Sequence, residues 1–186
     1  MRDVWFRGWR PYLLLGVLCL WLYLPGLAAI PVLDRDEARF AQATRQMLES
    51  GDFLHIRFQD EARNNKPAGI YWLQAASVAA LSKPQSTEIW PYRLPSVLGA
   101  TLAVLFIFVF ARTFVADPRI ALIAAVLLAA ALGTVAEAHI AKTDAALLAA
   151  VTAGQGSLGL IYLRTRAGAR VPVSLPVMFW LAEISA

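Results

Sequence analysis

Three carboxylates and two guanidinium groups crowd into Asp34-Arg35-Asp36-Glu37-Ala38-Arg39, directly after the uncharged run from Pro11 to Leu33. A charge cluster at the mouth of such an apolar segment costs little only if it faces water or binds something polar. Asp36 and Glu37 are adjacent, so on a helix they point about 100° apart and cannot be a facing pair of the glycosidase kind. Asp36 and Arg39 are three apart and can share a face. The ordinary explanation of the acids is helix capping, because carboxylates favour a first turn. Capping accounts for one or two of them, not for the interleaved arginines. Lys66 offers a point charge that suits a phosphate, or a side chain that snorkels to lipid headgroups. Asp144 opens an apolar run, where an acid is either an N-cap or a functional residue. His139 lacks zinc partners at ligand spacing, since His55 is the only other histidine; it is expected to be structural or interfacial.

These residues must be positioned by membrane segments. The chain has 186 residues, 59% hydrophobic and only 16% charged, where globular domains carry roughly 25% charged residues. The uncharged runs are Pro11–Leu33, Pro67–Ser82, Leu94–Ala111, Ile120–Ala136 and Ala145–Leu163, followed by a last one from Val171. Spanning takes about 20 residues. Arg2, Arg7 and Arg10 put the N-terminus in the cytoplasm, and the first run reads as an uncleaved signal anchor. If Pro67–Ser82 lies in the outer interface, four spans remain. Arg112, Arg119, Arg164, Arg166 and Arg170 are then cytoplasmic, and Asp36 and Asp144 share the outer face. The aromatic pair Tyr71 and Trp72 suits that interfacial depth.

The reading is therefore all-α: polytopic membrane helices in a single membrane domain over residues 1–186. An outer loop, residues 34–92, carries the site on interfacial amphipathic helices. Within it, Asp36–Ser50 is expected to be a helix with Asp34 and Glu37 at capping-box spacing and Gly51 as its left-handed end. Phe40, Ala43, Met47 and Leu48 make an apolar face that would lie on the membrane. Phe53–Phe58 reads as extended, Asn64-Asn65-Lys66-Pro67 as a turn with Pro67 opening the next helix, and Asp117-Pro118 as a helix start. Gly154, Gln155, Gly156 and Ser157 suit close helix packing. Cys19 is the only cysteine, so no internal disulfide forms. The net charge of +4 comes without a basic face interleaved with aromatics, which argues against nucleic acid. No Walker loop, dinucleotide glycine pattern or nucleophile elbow occurs.

Four stretches taken in order resemble one family: Asp34-Arg35-Asp36-Glu37-Ala38-Arg39-Phe40, Lys66-Pro67-Ala68-Gly69-Ile70-Tyr71-Trp72, Arg93-Leu94-Pro95-Ser96 and Ala141-Lys142-Thr143-Asp144. The chain resembles the N-terminal part of membrane glycosyltransferases of the protein-mannosyltransferase and lipid A aminoarabinose-transferase type, with the GT-C fold. The resemblance implies a polyprenyl phosphate sugar donor and a lipid or protein acceptor. It implies chemistry at the periplasmic face of a bacterial inner membrane. By position, Asp36 would be the acid at the reaction centre, Lys66 and Arg39 would hold the donor phosphate, and Glu37, Asp144 and Tyr71 would line the cavity. No metal ligand is assigned, and a divalent cation as cofactor stays open. Family members are longer, so this chain alone is expected to be an incomplete enzyme. Two other classes fit the residues: a non-enzymatic module binding anionic lipid through Arg39, Arg63 and Lys66, and a transporter piece with an outer acidic gate.

Overall fold

The computed structural model describes residues 8–63, 66–83, 86–115 and 117–185. Arg2, Arg7 and the Asn64-Asn65 part of the expected turn lie outside the described residues. The order is α1 (Arg10–Tyr23), α2 (Arg35–Ser50), β1 (Arg57–Phe58), β2 (Glu61–Ala62), α3 (Gly69–Leu81), α4 (Trp90–Phe114), α5 (Pro118–Ala130), α6 (Leu132–Ala138), α7 (Asp144–Arg166) and α8 (Ser174–Ser185). The all-α expectation holds, with one two-residue hairpin inside the loop that precedes α3.

Helix α4 is the hub, packing against α1, α3, α5, α6 and α7. Its interior Pro95 has no N–H to give the carbonyl of Pro91, one turn back. The Ser77 hydroxyl of α3 donates to that carbonyl at 2.6 Å, so the lost helix bond is replaced and α3 is tied to α4. Small residues bring the long helices together. A Cβ on Gly99 would stand 2.7 Å from backbone atoms of Ala145 and Ala146, and one on Gly156 would stand 2.1 Å from the Phe110 ring. Gly154, Gly156 and Ser157 are buried, as close packing requires, while Gln155 is exposed. On α5, Ala121, Ala125 and Ala129 are fully buried at four-residue spacing. The Tyr23 hydroxyl donates to the Ala129 carbonyl at 3.0 Å and fastens the end of α1 to that alanine face.

The outward faces are as apolar as the interior. Leu13, Leu14, Val17 and Trp21 of α1, Ile123 and Leu127 of α5, and Trp180 and Leu181 of α8 are all exposed. An apolar exterior of this kind is stable against lipid. Among the described residues, α4 and α7 are each long and apolar enough to cross a membrane, and the α5–α6 pair makes a third candidate, bent by 57°.

Four expectations change. The run Pro11–Leu33 is not one spanning helix: α1 stops at Tyr23, before Pro25 and Gly26, whose φ of 82° turns the chain. Fourteen residues at about 1.5 Å each reach only about 21 Å, short of a hydrocarbon core of about 30 Å. The run Ile120–Ala136 breaks at Ala131, whose ψ of 130° leaves helical geometry. The apolar face of α2 does not lie on lipid. Phe40, Ala43 and Met47 are buried with Ile56 of the loop and Ile70, Tyr71 and Ala75 of α3. Pro67 also stands outside α3, which starts at Gly69 behind Ala68.

Candidate functional site

Helix α2 begins as its sequence dictates. The Asp34 side chain accepts the Asp36 N–H at 2.6 Å, and Gly51 closes the other end at φ 71°. The first turn then presents Asp36 to the outside, with Arg39 Nη1 3.5 Å from its carboxylate. The Arg39 guanidinium also lies 5.9 Å from the Phe58 ring centre, so the hairpin limits where it can go.

Glu37 does not close a capping box and does not line a cavity. It is 1% exposed and forms a two-pronged ion pair with Arg93 of α4, at 2.7 and 3.0 Å. Arg93 spends its remaining donors on the carbonyls of Leu27 and Ile30, at 2.7 and 2.8 Å, and of Pro31 at 3.4 Å. Glu37 also accepts the Ala141 N–H at 2.9 Å. One buried pair thus joins the end of the first segment, α2, α4 and the turn before α7. Among the described residues this is the main structural feature that the sequence reading missed. An arginine on an otherwise apolar helix was the available signal.

Tyr71 is likewise withdrawn from any cavity. It is fully buried, stacks on Phe40 with ring centres 5.3 Å apart, and receives the Arg63 Nε–H at 2.6 Å. Arg63 in turn sits 5.1 Å over the Phe40 ring. Of the three cations proposed for lipid headgroups, Arg39 and Arg63 are therefore engaged internally. Lys66 is exposed and forms no ion pair with any described residue.

Lys66 and Asp144 meet at one cavity of about 570 Å³. Its walls are aliphatic: Ile70 and Leu73 of α3, Leu98 and Leu102 of α4, Leu147 of α7 and Ile184 of α8. Gly99 contributes by the close approach that keeps the first turn of α7 against α4. A lysine and a carboxylate at an apolar slot fit a ligand with a charged head and a hydrocarbon tail.

The acids beside this cavity form a second constellation. Lys142 Nζ is 2.5 Å from Asp34, which holds the Asp34 carboxyl below, and the Lys142 ammonium above, their ordinary pKa values. Glu137 stands beside Asp144, with one carboxyl oxygen buried and unpartnered. His139 is structural, as expected: its ring nitrogens lie 2.8 Å from the Val135 carbonyl and 3.0 Å from that of Pro25. Among the described residues, no three His, Cys, Asp or Glu side chains converge to hold a metal ion. The structure thus brings Lys66 together with Asp144 and Asp36 with Arg39, and sets Glu37 and Tyr71 apart in the interior.

Residues 10–184 match the family described as dolichyl-phosphate-mannose-protein mannosyltransferase. The chain is 32% identical over 121 residues to the undecaprenyl phosphate-alpha-4-amino-4-deoxy-L-arabinose arabinosyl transferase 2 of Pseudomonas fluorescens strain Pf0-1, covering 65% of this chain and 21% of that protein. A transferase of the same description from Pseudomonas paraeruginosa is 34% identical over 94 residues, covering 50% of this chain and 16% of its own length. The chain spans about a fifth of the curated relatives it matches. The crystal structure of ArnT from Cupriavidus metallidurans in the apo state superposes with a TM-score of 0.76 over 93% of this chain and 32% of that one, at 21% identity. That likeness carries the fold.

Proposed function

The chain belongs to the dolichyl-phosphate-mannose-protein mannosyltransferase family, and from that premise we propose that it carries part of the site of a polyprenyl-phosphate-sugar glycosyltransferase. The observation that carries the reading is Lys66: an exposed ammonium that forms no ion pair with any described residue, at an aliphatic slot shared with Asp144. The slot takes the first isoprenoid units of the donor, and Lys66 meets the phosphate where the lipid ends. As the bond from sugar carbon to phosphate oxygen breaks, negative charge gathers on the leaving phosphate and positive character on the sugar. An ammonium that meets the phosphate there stabilises the former more in the transition state than in the ground state.

Asp36 acts from the acceptor side. Its carboxylate takes the proton of an acceptor hydroxyl as the oxygen attacks the sugar carbon. Arg39 orients that carboxylate from the next turn. Where the acceptor is already an anionic phosphate, Asp36 serves to position it. The names of the relatives suggest an aminopentose carried on a polyprenyl phosphate as the donor; the acceptor in this reading is a lipid. Asp144, with Glu137 beside it, gives the sugar's ammonium a carboxylate partner near the slot. On this reading the reaction occurs at the outer face of a bacterial inner membrane, with the N-terminus cytoplasmic and α2 and α3 outside.

The test is Lys66→Met in the full-length protein. A charged hydrogen bond contributes about 1.5–3 kcal/mol, so donor affinity is expected to fall about 10- to 150-fold. Lys66→Arg should recover most of it. Donor titration followed by intrinsic fluorescence reads this directly. Unchanged affinity in Lys66→Met would remove the phosphate from this slot. Undiminished binding of donor-free anionic lipid by the same variant would separate a general headgroup site from a donor site.

A further inference from the structure

The turn between α6 and α7 is held far more tightly than a five-residue connection requires. The Ser96 hydroxyl of α4 donates to the carbonyl of Ile140 at 2.7 Å, with the carbonyl of Lys142 beside it at 3.3 Å. The Ala141 N–H donates to Glu37 at 2.9 Å. These bonds fix the backbone of Lys142, whose side chain is 18% exposed. Its Nζ reaches back to Asp34 at 2.5 Å. Asp34 is the residue that caps α2, through its other carboxylate oxygen and the Asp36 N–H at 2.6 Å. Lys142 therefore connects the start of α7, where Asp144 stands, to the first turn of α2, where Asp36 stands.

We propose that Lys142 is a positioning residue for the transfer reaction. Through Asp34 it sets where Asp36 stands relative to the slot bordered by Lys66 and Asp144. This rests on the proposed function for what is being positioned, but the coupling itself is a property of the fold.

A surface lysine that merely balanced charge would behave differently. Lys142 has three acids around it: Asp34 from the start of α2, Glu137 from α6, and Asp144 from the first turn of α7. Glu37 also bears on Asp34, through its backbone N–H. Removing the ammonium leaves Asp34, Glu137 and Asp144 facing one another. The Asp34 carboxyl is held low chiefly by Lys142, so the extra strength that its negative charge gives the cap is present above the ordinary carboxylate pKa and is lost as pH falls through the lowered value. Without Lys142 that loss begins at higher pH. The acid limb of the transfer rate should move the same way.

The experiment compares wild type, Lys142→Met, Asp34→Asn, the double variant and Lys142→Arg in the full-length protein in nanodiscs. Asparagine can still cap α2, so Asp34→Asn removes the charge and spares the helix start. Lys142→Met and Asp34→Asn are each expected to lower kcat about tenfold with donor KM within about twofold, and the double variant to be no worse than either. Lys142→Arg should restore the rate, and the acid limb should shift upward in Lys142→Met only while Asp34 is present. Additive losses, or an acid limb that stays in place in Lys142→Met, would overturn the proposal. Thermal unfolding of the same proteins supplies a second cycle that needs no turnover. If the wild type transfers no sugar, the functional reading fails. The coupling is then decided by unfolding: non-additive melting shifts support it, and additive ones reject it.

Discussion

Glu37→Ala is expected to destabilise the protein by about 3–5 kcal/mol, because it leaves a buried guanidinium without its carboxylate. Both side chains of the Glu37–Arg93 pair are almost fully buried, at 2% and 1% exposure. Removing Glu37 does not free Arg93 to reach water. It stays against the carbonyls of Leu27, Ile30 and Pro31, which cannot neutralise it. The Ala141 N–H loses its acceptor as well. Replacing both partners together, as in Glu37→Ala with Arg93→Met, should restore much of the loss, since no uncompensated charge remains. Thermal unfolding in detergent checks both. A single variant that melts like the wild type would mean that the pair does not join the segments as described.

Asp36→Asn is expected to reduce sugar transfer to a hydroxyl acceptor by about 10²–10⁴-fold, the usual contribution of a positioned general base. Asparagine matches the shape of the carboxylate and can keep a contact with Arg39, but it cannot take a proton. Donor binding should be unaffected, because the phosphate contact is assigned to Lys66 on a different element. Stability should change little, since Asp36 is 47% exposed and its one ion pair is long, at 3.5 Å. Single-turnover rates beside donor titrations separate the two effects. Transfer at the wild-type rate would remove Asp36 from the reaction. Weakened donor binding would place it among the donor contacts instead.

The two variants differ although the residues are neighbours, and the sequence explains only half of that difference. It marks the helix plainly: Asp34 as cap, Gly51 as left-handed end and an apolar face between them all recur in the structure. It cannot say which of two adjacent acids is buried. That depends on Arg93, 56 positions away. The same limit explains the apolar face of α2. Helical spacing shows that Phe40, Ala43 and Met47 want cover, but lipid and the α3 surface satisfy them alike, and α3 supplies it. Segment lengths misled for another reason. An uncharged run ends at a charge, whereas a helix ends where its backbone turns. Pro25-Gly26 ends α1 inside its run without any charge. The break at Ala131 falls in a stretch of alanine and leucine that composition cannot distinguish from continuous helix. The cavity itself is a product of packing, and its two charged residues are 78 positions apart in sequence. Only the resemblance to a family named Lys66 and Asp144 together beforehand.

The central claim is that the slot between α3, α4 and α7 receives the lipid of a phosphate-linked sugar donor. A polyprenyl phosphate bearing a photoactivatable group in its first isoprenoid units tests it most directly, with labelled residues located by peptide mass spectrometry. Labels are expected on Ile70, Leu73, Leu98 and Leu102, diminished in Lys66→Met and competed by unlabelled polyprenyl phosphate. Labelling confined to a second apolar groove, at Ile107, Phe114 and Val151 farther along α4 and α7, or labelling indifferent to Lys66, would contradict the account.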